Sequence, residues 1–103
     1  MPPEPCRILI VEDEPSVAAV LRIGLEQRGY VVQCVGSVEE AMPVLDKLMP
    51  NALITDGALP GAQGLSLAAF VRQSKKHEGV KVIVMSGDPA QKQLVGVMRA
   101  RVE

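Results

Sequence analysis

The sequence predicts an α/β fold, a parallel sheet with helices on both faces. Two observations carry this. Short apolar runs of strand length alternate strictly with segments whose apolar residues recur at helical spacing. The runs are apolar throughout rather than every second residue, the mark of strands buried on both sides, as parallel strands are. Four βα units can be traced in this way, and parallel strands with right-handed crossovers follow from the alternation.

The first strand is Arg7-Ile8-Leu9-Ile10-Val11. It ends in Glu12-Asp13-Glu14-Pro15, where proline suits a first helical turn and acids complement a helix N-terminus. Val17, Val20, Leu21, Gly24 and Leu25 form the apolar stripe of a helix reaching Gln27 or Arg28, with Gly29 as its stop. Tyr30–Val35 is the second strand. Ser37-Val38-Glu39-Glu40 has the form of a capping box and opens a helix from about Val38 to Met49. Pro43 falls inside that helix, where it should kink it or remove a backbone bond. The third strand, Ala52 to Thr55, delivers Asp56 to a loop rich in Gly and Pro. Leu65, Ala68, Phe70 and Val71 predict a third helix to about Lys76. Val80–Met85 is the fourth strand, after which Asp88 caps a fourth helix with Pro89 in its first turn and Leu94, Val97 and Met98 on its apolar side.

A chain of 103 residues, 48% hydrophobic and 22% charged, suits one globular domain. Tyr30 and Phe70 are its only aromatics, so the core is aliphatic, both rings are expected inside it, and a base-stacking platform is excluded. A formal charge of -1 gives no basic footprint for direct nucleic-acid binding. No run is long enough to cross a membrane and no leader pattern is present, so a cytoplasmic location is expected. Residues 1–6 form an irregular, proline-rich lead. Cys6 and Cys34 fall at the start of one strand and the end of the next, too far apart for a disulfide, and read as small buried hydrophobes. No Cys/His zinc spacing occurs, and His77 is expected to be solvated near a helix end.

All strand-to-helix loops of such a sheet open on one edge, where open α/β sheets hold their ligands. The first loop brings Glu12 and Asp13 there, the third Asp56, and the fourth Ser86 and Asp88, the last more simply a helix cap. Clustered carboxylates with a backbone carbonyl and water hold Mg²⁺. A carboxylate beside such a cation, with a hydroxyl and free N–H groups nearby, can accept a phosphoryl group.

These residues resemble the response-regulator receiver domains of two-component signalling. The acid pair Glu12-Asp13 follows the first strand and Asp56 the third, within Asp56-x-x-Leu59-Pro60-x-x-x-Gly64, while Ser86-Gly87 follows the fourth. The resemblance implies a flavodoxin-like sheet of order 2-1-3-4-5, here truncated to (βα)4 in order 2-1-3-4. It implies Asp56 as phosphoacceptor and Asp13 as the main Mg²⁺ ligand, with Glu12 helping through water. The Ala58 carbonyl would complete the protein ligands, and Ser86 and Gly87 would contact the phosphoryl group. A sensor histidine kinase or phosphotransfer protein would be the donor, protein contacts the output, and self-dephosphorylation at most weak. The family's Lys-Pro dipeptide after a fifth strand has no counterpart, and a fifth strand and helix are not traced before Glu103. The strand Val80–Met85 is then expected to be a bare sheet edge, inviting self-association or partner docking. A degenerate receiver that binds partners without phosphorylation is the alternative. An enzyme of the haloacid-dehalogenase kind would want a second Asp where Ala58 stands, and no dinucleotide or Walker glycine loop is present.

Overall fold

The computed structural model describes residues 5–56, 63–85 and 98–99. In chain order the elements are β1 (Arg7–Val11), α1 (Pro15–Glu26), β2 (Val31–Val35), α2 (Val38–Leu48), β3 (Ala52–Asp56), α3 (Gln63–Gln73), a 3-10 turn (Lys75–His77), β4 (Lys81–Met85) and β5 (Met98–Arg99). The sheet order is β2-β1-β3-β4-β5. The first four strands are parallel, as the unbroken apolar runs require, in the order 2-1-3-4.

Alternate residues of each strand serve opposite faces. Leu9 and Val11 of β1, with Leu53 and Val82, pack under Ala41 and Leu45 of α2 and Leu67, Ala68 and Val71 of α3. Ile8 and Ile10, with Ile54 and Met85, form a second core that includes Leu21 of α1. The two cores hold almost nothing but aliphatic side chains. β1 lies between β2 and β3, and its residues 8 to 11 are all buried.

The end of the sheet where β1 begins is closed by one side chain. The Arg7 guanidinium donates to the carbonyl of Leu48 at 2.8 Å through Nε and to that of Met49 at 2.7 Å through Nη2. These are carbonyls at the C-terminus of α2, where unmatched acceptors and the negative end of the helix dipole favour a cation. Asn51 completes the join, its Oδ1 accepting from the Arg7 N–H at 2.8 Å and its own N–H donating to the Arg7 carbonyl at 2.7 Å. Met49 ends α2 in the left-handed conformation with φ 48°. At the other end, Ser37 Oγ accepts from the Glu40 N–H at 3.2 Å, the forward half of the expected capping box. The return bond shifts by one residue: Glu40 Oε1 accepts from Gly36 N–H at 2.8 Å. Pro43 is accommodated within a continuous α2.

Several expectations are corrected. His77 is 4% exposed rather than solvated, because the 3-10 turn after α3 folds its ring inward. Phe70 and Tyr30 lie outside the core, 45% and 36% exposed; Leu67, Ala68 and Val71 take the inner face of α3 instead. Val20 is 71% exposed, since Leu21 with Val17 and Leu25 is the face of α1 that meets the sheet. Cys6 and Cys34 are half-buried rather than buried, and both are free thiols. The α3 helix stops at Gln73, three residues before the expected end, where the 3-10 turn takes over. The edge of β4 is not bare: Met98 and Arg99 pair antiparallel with Val84 and Ile83. Met98 therefore belongs to a strand and not to the stripe of a fourth helix; the rest of that expected helix, with Asp88 and Pro89, lies outside the described residues.

Candidate functional site

β1 and β3 run side by side in register, Val11 opposite Thr55. One step further along each strand come Glu12 and Asp56, so the acids that follow these two runs emerge together at the carboxyl edge. The Glu12 N–H donates to the Val35 carbonyl at 3.0 Å, prolonging the pairing of β1 with β2 and fixing the turn. Its carboxylate Oε2 accepts from the Glu14 N–H at 2.9 Å, which folds the acid back towards the start of α1. Asp56 is paired with Met85 of β4 and is fully buried, while Glu12 is 3% exposed and Asp13 faces solvent.

Glu12, Asp13 and Asp56 each place a carboxylate oxygen within 4.8 Å of the others. Three like charges in so small a space repel, and two of them are buried, where screening is weak. That spacing brings three oxygen donors close enough for one small hard cation to bridge, directly or through a water. The donor set is all hard oxygen, which suits Mg²⁺ and not a soft metal. One ligand on the exposed side and two from the buried side leave the solvent face open for water or another oxygen ligand.

The structure thus brings together three of the acids expected from the sequence. Ala58, Ser86 and Gly87, the other expected site residues, lie outside the described residues. The backbone anchor from Glu14 to Glu12 was not foreseen; an acid two residues before a helix-starting segment is the only signal for it in the sequence. A buried hydroxyl, Thr55, precedes Asp56 and sits 3.4 Å from the Asp56 carbonyl.

A parallel sheet of this order, with three carboxylates gathered at its carboxyl edge, defines a CheY-like receiver architecture. The sequence pattern of the response regulator receiver domain family matches residues 8–103, and the chain belongs to that family. Among solved structures it is similar to a putative response regulator from Chloroflexus aurantiacus, 36% identical with a TM-score of 0.75, covering 84% of this chain and 73% of that one. It is also similar to the response regulator TrrA of Thermotoga maritima, solved in complex with Mg²⁺-BeF, 30% identical with a TM-score of 0.71 over 82% of this chain and 72% of that one. Among curated proteins it is 34% identical over 80 residues to the phosphate regulon transcriptional regulatory protein PhoB of Rhizobium meliloti, 78% of this chain and 35% of that protein. An uncharacterized protein of Leptolyngbya boryana is 33% identical over 79 residues, 77% of this chain and 60% of that protein. The matched part of the chain thus spans 60% or less of these curated relatives. Receiver domains of this family are signalling modules of two-component systems rather than enzymes. No helix among the described residues is long and apolar enough to cross a membrane.

Proposed function

We propose that this chain is a phosphoacceptor domain that takes a phosphoryl group on Asp56 in the presence of Mg²⁺. The gathering of Glu12, Asp13 and Asp56 within 4.8 Å carries the reading. Asp13 would be the main metal ligand, with Glu12 helping through water, and Asp56 and the Ala58 carbonyl would complete the protein ligands. When bound, Mg²⁺ offsets the charge on the transferred oxygens. An Asp56 carboxylate oxygen attacks phosphorus, a P–O bond forms as the bond to the donor's leaving atom breaks, and an acyl phosphate results. Burial of the Asp56 side chain fixes its rotamer and limits water around the carboxylate, while the Glu14 N–H holds Glu12 in place. By the family resemblance, Ser86 and Gly87, which follow in sequence the strand that pairs with Asp56, would contact the phosphoryl oxygens.

The donor is a phosphohistidine on a sensor kinase or phosphotransfer protein, and the output passes through protein contacts in the cytoplasm rather than by direct binding to nucleic acid or membrane. The presence of a Mg²⁺-BeF complex in the Thermotoga maritima relative supports the metal assignment. The second reading is a receiver that binds partners without phosphorylation. Incubation with a small acyl phosphate and Mg²⁺, followed by mass spectrometry, separates the two. Wild type gains one phosphoryl group, whereas Asp56→Asn and the metal-chelated protein gain none. Equal labelling of Asp56→Asn, or none of wild type, overturns the proposal.

A further inference from the structure

β2 is the outermost strand of the sheet and pairs only with β1 among the described residues. Its phase is fixed at both ends. The Val31 N–H donates to the Cys6 carbonyl at 2.9 Å, and the Val35 carbonyl accepts from the Glu12 N–H at 3.0 Å. In a parallel ladder every second residue turns both its backbone groups to the same neighbour. Val31, Gln33 and Val35 therefore serve β1. Val32 and Cys34 turn their N–H and C=O groups outward, where no strand lies among the described residues.

Edge strands are ordinarily blunted by charge, proline or a bulge. Val31-Val32-Gln33-Cys34-Val35 has none of these: it is uncharged, and its register with β1 runs without a break. Val32 and Cys34 pack against the core under α1, while Val31, 42% exposed, and Gln33 stand on the α2 side in solvent.

The two ends of this edge differ in charge. Arg28 precedes the strand and Glu39 and Glu40 follow it, all exposed, and no basic residue occurs between Arg28 and Lys47. Neither Arg28 nor Glu39 has an ion-pair partner among the described residues. Arg22 and Glu26, the charges of α1 that act on Cys34, pair with each other at 3.6 Å and offset one another. An edge that is basic at one end and acidic at the other complements itself only when turned end for end.

We propose that the outer edge of β2 pairs with the same edge of a second copy of this chain, antiparallel, about a two-fold axis through Gln33. Val32 then lies opposite Cys34 of the second copy, and the two exchange both N–H···O bonds, which uses every outward group of the strand. Gln33 meets Gln33 of the second copy amide to amide, and Val31 covers Val35 of the second copy on the α2 side. Arg28 is brought towards Glu39 of the second copy. The two-fold closes the pair, so no third copy adds at this edge. A formal charge of -1 on each copy gives little repulsion between them. The strands run in opposite directions, so the two acid rims point away from each other and both stay open.

The test uses the full chain. In a Cys6→Ser/Cys34→Ser background, Gln33→Cys sets two thiols at a non-hydrogen-bonded pair whose Cα atoms lie about 4.5 Å apart, within disulfide reach. Oxidised glutathione should convert this variant to a covalent dimer on a non-reducing gel. In the same background Gln27→Cys, exposed on α1 and away from the axis, should stay a monomer. Sedimentation equilibrium of the wild type from micromolar to millimolar concentration should show monomer and dimer only. Gln33→Lys sets like charges face to face on the axis and should weaken the dimer about tenfold with the circular dichroism unchanged, whereas Gln33→Ser should not. Three results overturn the proposal: a wild type that is monomeric throughout that range, equal cross-linking of Gln27→Cys and Gln33→Cys, or association that Gln33→Lys leaves unaltered, which would move the interface elsewhere.

Discussion

Replacing Arg7 by alanine tests how the sheet holds α2. The guanidinium makes contacts of 2.8 Å to the Leu48 carbonyl and 3.1 and 2.7 Å to the Met49 carbonyl, the first partly buried and the others exposed. Hydrogen bonds to a charged group contribute about 1.5–3 kcal/mol each where water is excluded, and less where it is not. The Leu48 bond at the low end of that range, the Met49 pair at about half of it, and the charge–dipole term of about 0.5 kcal/mol sum to roughly 2–3 kcal/mol. With a urea m-value of about 1.5 kcal/mol/M, the midpoint falls by roughly 1.5–2 M. Arg7→Lys should recover only the charge–dipole part, about 0.5 kcal/mol, because an ammonium cannot span two carbonyls as the planar fork does. The assay is equilibrium urea unfolding by circular dichroism, repeated with Mg²⁺. The gain from Mg²⁺ should be equal in wild type and Arg7→Ala, since Arg7 and the acids sit at opposite ends of β1. A loss below about 0.5 kcal/mol in Arg7→Ala, or full recovery in Arg7→Lys, refutes the reasoning.

Three further outcomes follow from the geometry. Mg²⁺ at about ten times its dissociation constant should raise stability by about 1.4 kcal/mol, and Asp13→Asn should lose most of the gain, both read from urea midpoints with and without chelator. Met49→Gly should stabilise by about 0.5–1 kcal/mol, because Met49 adopts φ 48° with an exposed side chain and glycine enters that region without strain; thermal unfolding checks it. Burial pushes the Cys34 thiol up from its ordinary range, so it should alkylate more slowly than a free thiol near pH 8. The sign for stability is set by the same shift: the unfolded thiol ionises first, so the Cys34 contribution is intact below the ordinary thiol range and is lost as pH rises through the folded value, an effect that Cys34→Ser removes.

Much of this molecule can be read from its residues in order. The runs at Ile8–Val11 and Ala52–Ile54 have no polar interruption that would favour another fate, and Asp56 falls where the third strand ends. Ser37 marks the start of α2 to the residue. The acids gather because the register of β1 against β3 is fixed by their buried faces, a consequence of the alternation itself. Phe70 and Val20 lie outside the core for a common reason, while His77 is turned inward by a 3-10 turn that its polar neighbours do not announce. Helical spacing says that a stripe exists, but not which part of it a neighbouring element covers. The Arg7 fork is invisible locally because its acceptors lie more than 40 residues away along the chain. The half-built reciprocal cap at Gly36 shows the same limit at short range: the residue types were legible, the choice of N–H was not.

The two ends of β1 carry opposite electrical character. Glu12 and Asp13 follow its last residue, and Arg7 is its first, with Lys81 heading β4 at the same end. The separation of about five residues, some 17 Å at strand spacing, gives this central part of the sheet opposite charges at its two ends. A charged body approaching from solution meets a torque before it meets a surface, and a positively charged one is turned towards the acids. Capturing a divalent ion there shortens that reach, so metal loading and the orientation of an incoming partner are linked through the long-range field alone.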